Sequence, residues 1–275
     1  MSPDNRSRQN QARFDEAAKN YFSPALSFFD VLGGRLIGSL GVSTGDRVID
    51  FGCGTGALTV PAAERVGNSG EVVGTDISAG MLRVASKRSQ DAGHDWVEYH
   101  EGDIASLELG GKFDYGVCGF VTQMFNDLTT VPKTLAKHVR PGGKIGLSVW
   151  AEGSWEPHTS FFREVLTGYR PDLVANPKPG SIEKLQEPGV IESIMAESGV
   201  SNVEVTLAKQ PHRLPDFDEY WHLISTLGAR PILEKMNDPD KAELKKYLNS
   251  AIGEISATDG GITLCMDALF VTGEV

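Results

Sequence analysis

A chain of 275 residues can bury one generous core and still carry an appended cap. Its make-up, 40% hydrophobic and 23% charged with 31 glycines, excludes a disordered or fibrous protein and fits a folded one with many turns. The net charge of -11 disfavours a nucleic-acid substrate, no apolar run approaches the roughly 20 residues that span a bilayer, and Met1 to Asn20 is too polar for a signal peptide, so the expected location is cytoplasmic.

In chain order, Arg13 to Phe22 carries Phe14, Ala17, Ala18, Tyr21 and Phe22 at helical spacing and predicts a helix docked on the body as a lid. A second helix is predicted from Pro24 to Leu40, ending in the turn-rich Gly41 to Gly45. Short apolar runs bounded by Gly, Asp or Pro then predict strands at Arg47 to Asp50, Glu71 to Asp76, Trp96 to Glu101, Phe113 to Gly119 and Lys144 to Trp150. Between them, Ser78 reads as the N-cap of a helix carrying Met81, Leu82 and Ala85. Val131, Leu135 and Val139 stripe another that Pro141-Gly142-Gly143 stops. Strand alternating with helix implies a mostly parallel sheet with helices on both faces.

Beyond Trp150 the rhythm changes. Helices are predicted at Thr159 to Tyr169 and Pro188 to Ser198, followed by a strand at Val203 to Lys209. Phe217, Trp221 and Ile224 then fall on one helical face, a charged helix spans Pro239 to Ile255, and a final strand runs from Ile262 to Thr272. Cys53, Cys118 and Cys265 are odd in number, sit in apolar segments and lack metal-site spacing, which reads as reduced core thiols.

The strongest local signal is Val48-Ile-Asp-Phe-Gly-Cys-Gly-Thr-Gly-Ala-Leu58. Gly52, Gly54 and Gly56 permit a tight turn and close ligand approach, and the helix that follows offers unpaired N–H groups. Taken alone, the loop also satisfies a degenerate NAD or FAD fingerprint. Asp76 ends the second strand, 20 residues beyond Gly56, where a carboxylate can accept both hydroxyls of a ribose in either class of cofactor. What separates the two is Asp50 before the loop, Gly102-Asp103-Ile104 after the third strand and Arg140-Pro141-Gly142-Gly143 before the fifth, a set that NAD folds do not require.

With these residues in view the chain resembles the class I S-adenosylmethionine-dependent methyltransferases, in particular the ubiquinone/menaquinone-biosynthesis-type and natural-product branch. The resemblance covers about Thr44 to Trp150. It implies that Asp50 and the loop, with Gly52, Cys53, Gly54 and Gly56, surround the methionine part of S-adenosylmethionine, and that Asp76 holds the ribose. It further implies that Asp103 meets the adenine amino group, that Ile77, Met81 and Ile104 pack on the adenine ring, and that Gly119 and Phe120 face the reaction centre. The fold class implied is α/β, a Rossmann-like, mostly parallel seven-stranded sheet with a helical substrate cap. The expected organisation is an N-terminal helical lid over 1–43, a cofactor-binding core over 44–150, and completion of the sheet over 151–275 with cap inserts at about 151–187 and 211–258.

Methyl transfer from a sulfonium is an in-line displacement on an activated electrophile, so positioning supplies much of the catalysis and a base is optional. If one is used, His158, shortly after the fifth strand, is the first candidate. Tyr21, Trp155, His212, Trp221 and His222 are candidates for holding the acceptor. The metal-binding aspartate of the family's catechol-type branch is replaced by Cys118-Gly119-Phe120, and the signatures of the amino-DNA and cytosine-carbon enzymes are missing, so no catalytic metal and no nucleic acid are expected. The expected activity is methylation of N, O or activated C of a small molecule in natural-product or other specialised biosynthesis. An NAD-dependent oxidoreductase and a non-catalytic S-adenosylmethionine-binding module are the alternatives, and a homodimer is left open.

Overall fold

Val48, Ile49, Asp50 and Phe51 are sealed from solvent because their strand, β1 (Arg47–Phe51), has neighbours along both edges and apolar clusters on both faces. The computed structural model describes residues 3–174, 180–187 and 189–275. The remaining strands are β2 (Glu71–Asp76), β3 (Glu98–Glu101), β4 (Phe113–Gly119), β5 (Val139–Trp150), β6 (Ser201–Ala208), β7 (Pro211–Leu214), β8 (Ile262–Cys265) and β9 (Ala268–Glu274). Seven form one sheet in the order β3-β2-β1-β4-β5-β9-β6, parallel except that β9 runs antiparallel to both neighbours. This is a Rossmann-like α/β sheet. The chain order reverses beside β1, between β2 on one edge and β4 on the other, and open α/β sheets bind ligands in the crevice such a reversal leaves at the carboxyl ends of the strands.

The helices are α1 (Pro3–Tyr21), α2 (Phe28–Leu40), α3 (Thr59–Val66), α4 (Ala79–Asp91), α5 (Thr130–His138), α6 (His158–Tyr169), α7 (Ser181–Leu185), α8 (Val190–Glu197), α9 (Phe217–Thr226), α10 (Arg230–Leu233) and α11 (Asp238–Ala251). Leu32, Leu36 and Ile37 of α2 and Ala62, Ala63 and Val66 of α3 pack on one face of the sheet, and Val131 and Leu135 of α5 with Ile191 and Met195 of α8 on the other. The first cluster continues without a break into the cap through Tyr220, Leu223, Leu244, Leu248, Ile262 and Leu264.

The structure departs from the sequence-based expectation mainly where tertiary contacts cut or extend an element. The last strand, expected to run from Ile262 to Thr272, is two strands. The chain is turned at Met266-Asp267, where Met266 N–H donates to the Gln210 carbonyl at 2.8 Å and Asp267 Oδ1 accepts from Gln210 N–H at 2.7 Å. β8 therefore leaves the main sheet and pairs with β7, a strand inside the insert expected to be helical. β5 begins at Val139, which had been assigned to the preceding helix. Pro141-Gly142-Gly143 is absorbed as an irregularity in the strand, where the pairing jumps from Phe113 with Val139 to Tyr115 with Lys144. The second helix is broken by a 3-10 turn at Pro24–Leu26. Pro188, the expected start of α8, and residues 175–179 of the first cap insert lie outside the described residues. Cys53 and Cys118 are buried, but Cys265 is exposed on β8 and is not a core thiol.

Candidate functional site

β1 delivers the chain to Gly52 and Gly54 with φ of 67° and 54°, values that favour glycine. A Cβ on Gly52 would stand 2.7 Å from Val121 Cγ2, whereas Gly54 has nothing within 4 Å and leaves an open face. Asp76, at the end of β2, ties this loop to the next helix. Its Oδ2 accepts from Gly54 N–H at 2.9 Å and its Oδ1 from Ser78 N–H at 2.8 Å. Burial raises its pKa against the opposing pull of these backbone hydrogen bonds. Behind the loop, Asp50 is fully buried. Its Oδ2 accepts from Thr59 Oγ1 at 2.6 Å, its Oδ1 has no partner, and burial pushes its pKa up to about 7.

The loop and Asp76 border a cavity of about 400 Å³, within the range of small-ligand sites. The sequence-derived residues that line it are Gly52, Cys53 and Gly54 of the loop, then Asp76, Ile77 and Met81 at the β2–α4 junction. Asp103 and Ile104 follow β3, and Gly119 and Phe120 end β4. Asp50 and Gly56 do not line it. Asp50 stands behind the loop, and Gly56 packs towards Ala85 of α4, where a Cβ would meet that side chain at 3.4 Å.

Other lining residues are not among the site residues the sequence predicts. α1 contributes Asn10 and Phe14 beside Tyr21, α2 contributes Phe29 and Gly33, the turn after β4 contributes Met124, Phe125 and Asn126, and β5 contributes Ser148. Tyr21 stacks on Phe29 at 5.8 Å, Phe29 meets Phe120 edge-on at 5.4 Å, and Phe120 leans on Trp150 at 4.3 Å. Phe120 has a φ of 56°, a strained conformation for a bulky residue. It is held there by its N–H donating to the Ser148 carbonyl at 2.9 Å and by Gln123 Nε2 donating to its own carbonyl at 2.7 Å. The signal that could have found Phe29 is its place one turn before Gly33, the helix position that must lie close to the glycine loop.

Of the candidates for handling the acceptor, only Tyr21 lines the cavity. His158, the first choice for a base, is buried in the cap: Nδ1 stands 2.8 Å from the Tyr220 hydroxyl and the ring packs against Trp155 and Phe162. Desolvation lowers its pKa to about 4. His212 points Nε2 at the Ala25 carbonyl at 2.8 Å, and His222 at the Asn20 carbonyl at 3.1 Å. Trp155 packs between Trp150 and Phe28, and Trp221 lies beside Lys245. None of these five lines the cavity, and each ring is engaged by the cap, by the N-terminal segment or by the core beside it.

Residues 48–143 match a methyltransferase domain family. Over 95% of its length the chain is 28% identical to nocamycin O-methyltransferase from Saccharothrix syringae, covering 97% of that protein. The family match, this relative and the fold together indicate a class I S-adenosylmethionine-dependent methyltransferase. A demethylmenaquinone methyltransferase of Anoxybacillus flavithermus is 35% identical over 47% of the chain, and here the chain spans about half of the relative, 54% of its length. Among solved structures, a phosphoethanolamine N-methyltransferase from Haemonchus contortus superposes with a TM-score of 0.55 at 20% identity, over 94% of this chain and 57% of that one, a likeness of fold. The methyltransferase reading displaces the NAD-dependent oxidoreductase. The methyl donor is S-adenosylmethionine, and the site suits it: the open face of Gly54 and the Asp76 and Asp103 carboxylates line a cleft that also offers apolar walls, and the unpartnered Oδ1 of Asp50 stands behind the loop.

Proposed function

We propose that the methyltransferase methylates an acidic oxygen, or an activated carbon, of a small and largely apolar acceptor in natural-product or other specialised biosynthesis. Asp50 and the Gly52 to Gly54 loop would hold the methionine end of the donor, Asp76 the ribose, and Asp103 with Ile77, Met81 and Ile104 the adenine. When bound, S-adenosylmethionine supplies a methyl group on a positively charged sulfur.

The observation that carries this reading is the lining on the acceptor side. Tyr21, Phe29, Phe120, Met124 and Phe125 supply rings and a thioether, and no His, Lys or Arg is among the described lining residues. Tyr21 cannot serve as a base, because burial, and then the charge of Asp76, hold its phenol well above its ordinary range. With the lining carboxylates Asp76 and Asp103 committed to the donor, the acceptor would bring a proton that is easily lost. An anion meeting a sulfonium yields neutral products, and the attraction between the two charges is strongest where water is excluded. A neutral amine conserves charge through the same step and gains less. Tyr21, Phe29 and Phe120 would stack on the acceptor and exclude water, and the strained Phe120 backbone would fix its distance from the methyl group.

The near-full-length similarity to an O-methyltransferase of a natural product supports the same acceptor class. Three free cysteines suit a reducing, cytoplasmic compartment, and no described helix is long and apolar enough to cross a membrane. The test is methylation of a matched pair, 2-naphthol and 2-naphthylamine, across pH. The naphthol should be the better substrate, with a rate that climbs with pH as its hydroxyl ionises. Preference for the amine, or a naphthol rate indifferent to pH, would refute the reading.

A further inference from the structure

α1 meets the cofactor half of the cavity through one carboxylate. Asp15 Oδ1 accepts from Ser78 Oγ at 2.7 Å and from Gly80 N–H at 2.7 Å, partners 63 and 65 residues further along the chain. Ser78 N–H donates to Asp76 Oδ1 at 2.8 Å, and Ser78 Oγ also accepts from Met81 N–H at 3.1 Å. One serine thus stands between the carboxylate of the N-terminal helix and the carboxylate at the end of β2. The approach is close because residue 80 is glycine. A Cβ there would stand 3.0 Å from Asp15 Oδ1, 3.1 Å from Ala18 Cβ and 3.2 Å from Asp15 Cα.

On the same side Gln11 Nε2 of α1 donates to Glu101 Oε1 of β3 at 2.9 Å. The buried apolar contact of α1 is the small cluster of Ala17, Ala18 and Met81, flanked by Phe14 and Tyr21. On the cap side Arg230 Nη2 meets Glu16 at 3.0 Å. Asn10, Phe14 and Tyr21 of the same helix line the cavity that Ile77, just before α4, and Met81, in its first turn, line from the other side. Beyond that cluster and the stack of Tyr21 on Phe29, the described ties of α1 are single polar contacts, several of them exposed, which local opening breaks first.

We propose that Asp15 is a positioning residue, a latch that closes α1 over bound S-adenosylmethionine and, through Ser78, sets the first turn of α4 against the adenosine. The inference rests on Asp76 holding the ribose. With the latch made, Ile77 and Met81 are fixed at the start of a capped helix and the exit past α1 is shut. The coupling has a physical source. Asp15 and Asp76 repel each other across Ser78, and the charge of Asp15 adds to burial in raising the pKa of Asp76. Ribose hydroxyls donating to Asp76 would spread its charge and ease that repulsion, so ligand and closed helix favour each other, and by linkage each strengthens the other equally.

The experiment compares the full-length wild type with Asp15→Ala, Asp15→Asn and Gly80→Ala, using S-adenosylhomocysteine as the probe. Two quantities are read: its dissociation rate, and hydrogen exchange of the α1 amides with and without it. In the wild type the ligand should slow α1 exchange. Asp15→Ala should abolish that ligand-dependent difference and speed release by about tenfold, the scale of losing hydrogen bonds to a charged acceptor. Asp15→Asn keeps an oxygen in place and should recover part of both effects, and Gly80→Ala, which blocks the contact from the other side, should resemble Asp15→Ala. A purely structural Asp15 would lower the melting temperature of the ligand-free protein without touching the ligand-dependent exchange. Wild-type release from Asp15→Ala, or α1 exchange indifferent to ligand in the wild type, overturns the latch. Failure of the wild type to bind S-adenosylhomocysteine would instead strike the assignment of Asp76.

Discussion

Inside the cap the imidazole of His158 closes on the hydroxyl of Tyr220, with Nδ1 at 2.8 Å and both side chains almost sealed from solvent. Two buried polar groups thereby satisfy each other, so the pair pins α6 to α9.

Replacing His158 by Ala should therefore cost stability. Loss of a buried ring and an orphaned Tyr220 hydroxyl together predict about 2–4 kcal/mol in urea unfolding, with turnover of the folded enzyme within about threefold of wild type. The pH dependence has a definite sign. The folded imidazole is lowered by burial from 6.5 to about 4, so between those values the unfolded chain takes up a proton that the folded one refuses. This contribution is complete above pH 6.5 and is lost as the pH falls towards 4, at a slope approaching 1.4 kcal/mol per unit. His212, also lowered by burial, adds a slope of the same sign. A His158→Gln variant should lose part of the wild-type acid slope, and a slope unchanged by the substitution would contradict the neutral buried imidazole.

Asp50 acts in the opposite direction. Burial raises its pKa to about 7, so the folded carboxyl keeps a proton that the unfolded one, at 3.8, has released. Its contribution is present below pH 3.8 and is lost as the pH rises through 7. Asp50→Asn, a neutral mimic, should make the ligand-free protein more stable than wild type at pH 8, by on the order of 1–3 kcal/mol. The same variant should bind S-adenosylhomocysteine more weakly at that pH, because the ammonium of the ligand favours an ionised neighbour. Calorimetric titration beside urea unfolding checks both halves. Equal stability of the two proteins at pH 8 would show that Asp50 is not strained by its burial.

What the sequence made legible follows from how each element is determined. β2 and β4 match their predicted bounds because Glu71 to Asp76 and Phe113 to Gly119 are apolar runs with sharp polar or glycine ends. The glycine loop and Asp76 were readable because backbone conformation and strand ends leave marks in the residue types. β7 was not, since Pro-His-Arg-Leu has no strand pattern and exists by pairing with β8. The break between β8 and β9 has no Gly or Pro to announce it, only the hydrogen bonds of Gln210. His158 was misread because a histidine after a strand looks the same whether it faces a cleft or a core. Its spacing to Phe161, Phe162 and Leu166 places it on the buried stripe of α6 and was the usable clue.

Two neighbouring glycines give a test of how closely α2 approaches the loop. A Cβ on Gly33 would stand 2.1 Å from the backbone oxygen of Ala57, while one on Gly34 would meet nothing within 4 Å. Gly33→Ala should cost about 1–3 kcal/mol by forcing helix and loop apart, and should weaken donor binding as well. Gly34→Ala should leave binding intact and stabilise the protein by about 0.5–1 kcal/mol, the gain of alanine over glycine within a helix. Thermal unfolding of the pair, with and without S-adenosylhomocysteine, decides the matter, and similar behaviour of the two variants would mean that the helix does not touch the loop.

The clasp at Gln210 and Asp267 closes the base of the second insert of the cap. The polypeptide departs from β6 and comes back into β9 at adjacent points, joined there by two hydrogen bonds of 2.7 and 2.8 Å. Everything from Pro211 to Cys265 is thus one insert, closed at its base and braced by α6 through His158 and Tyr220, and the strands that carry Asp50 and Asp76 lie outside it. None of its residues lines the cavity, so a lineage that exchanged it would retune the acceptor side only at second hand, through α1 and the Pro24–Leu26 turn against which α9 packs.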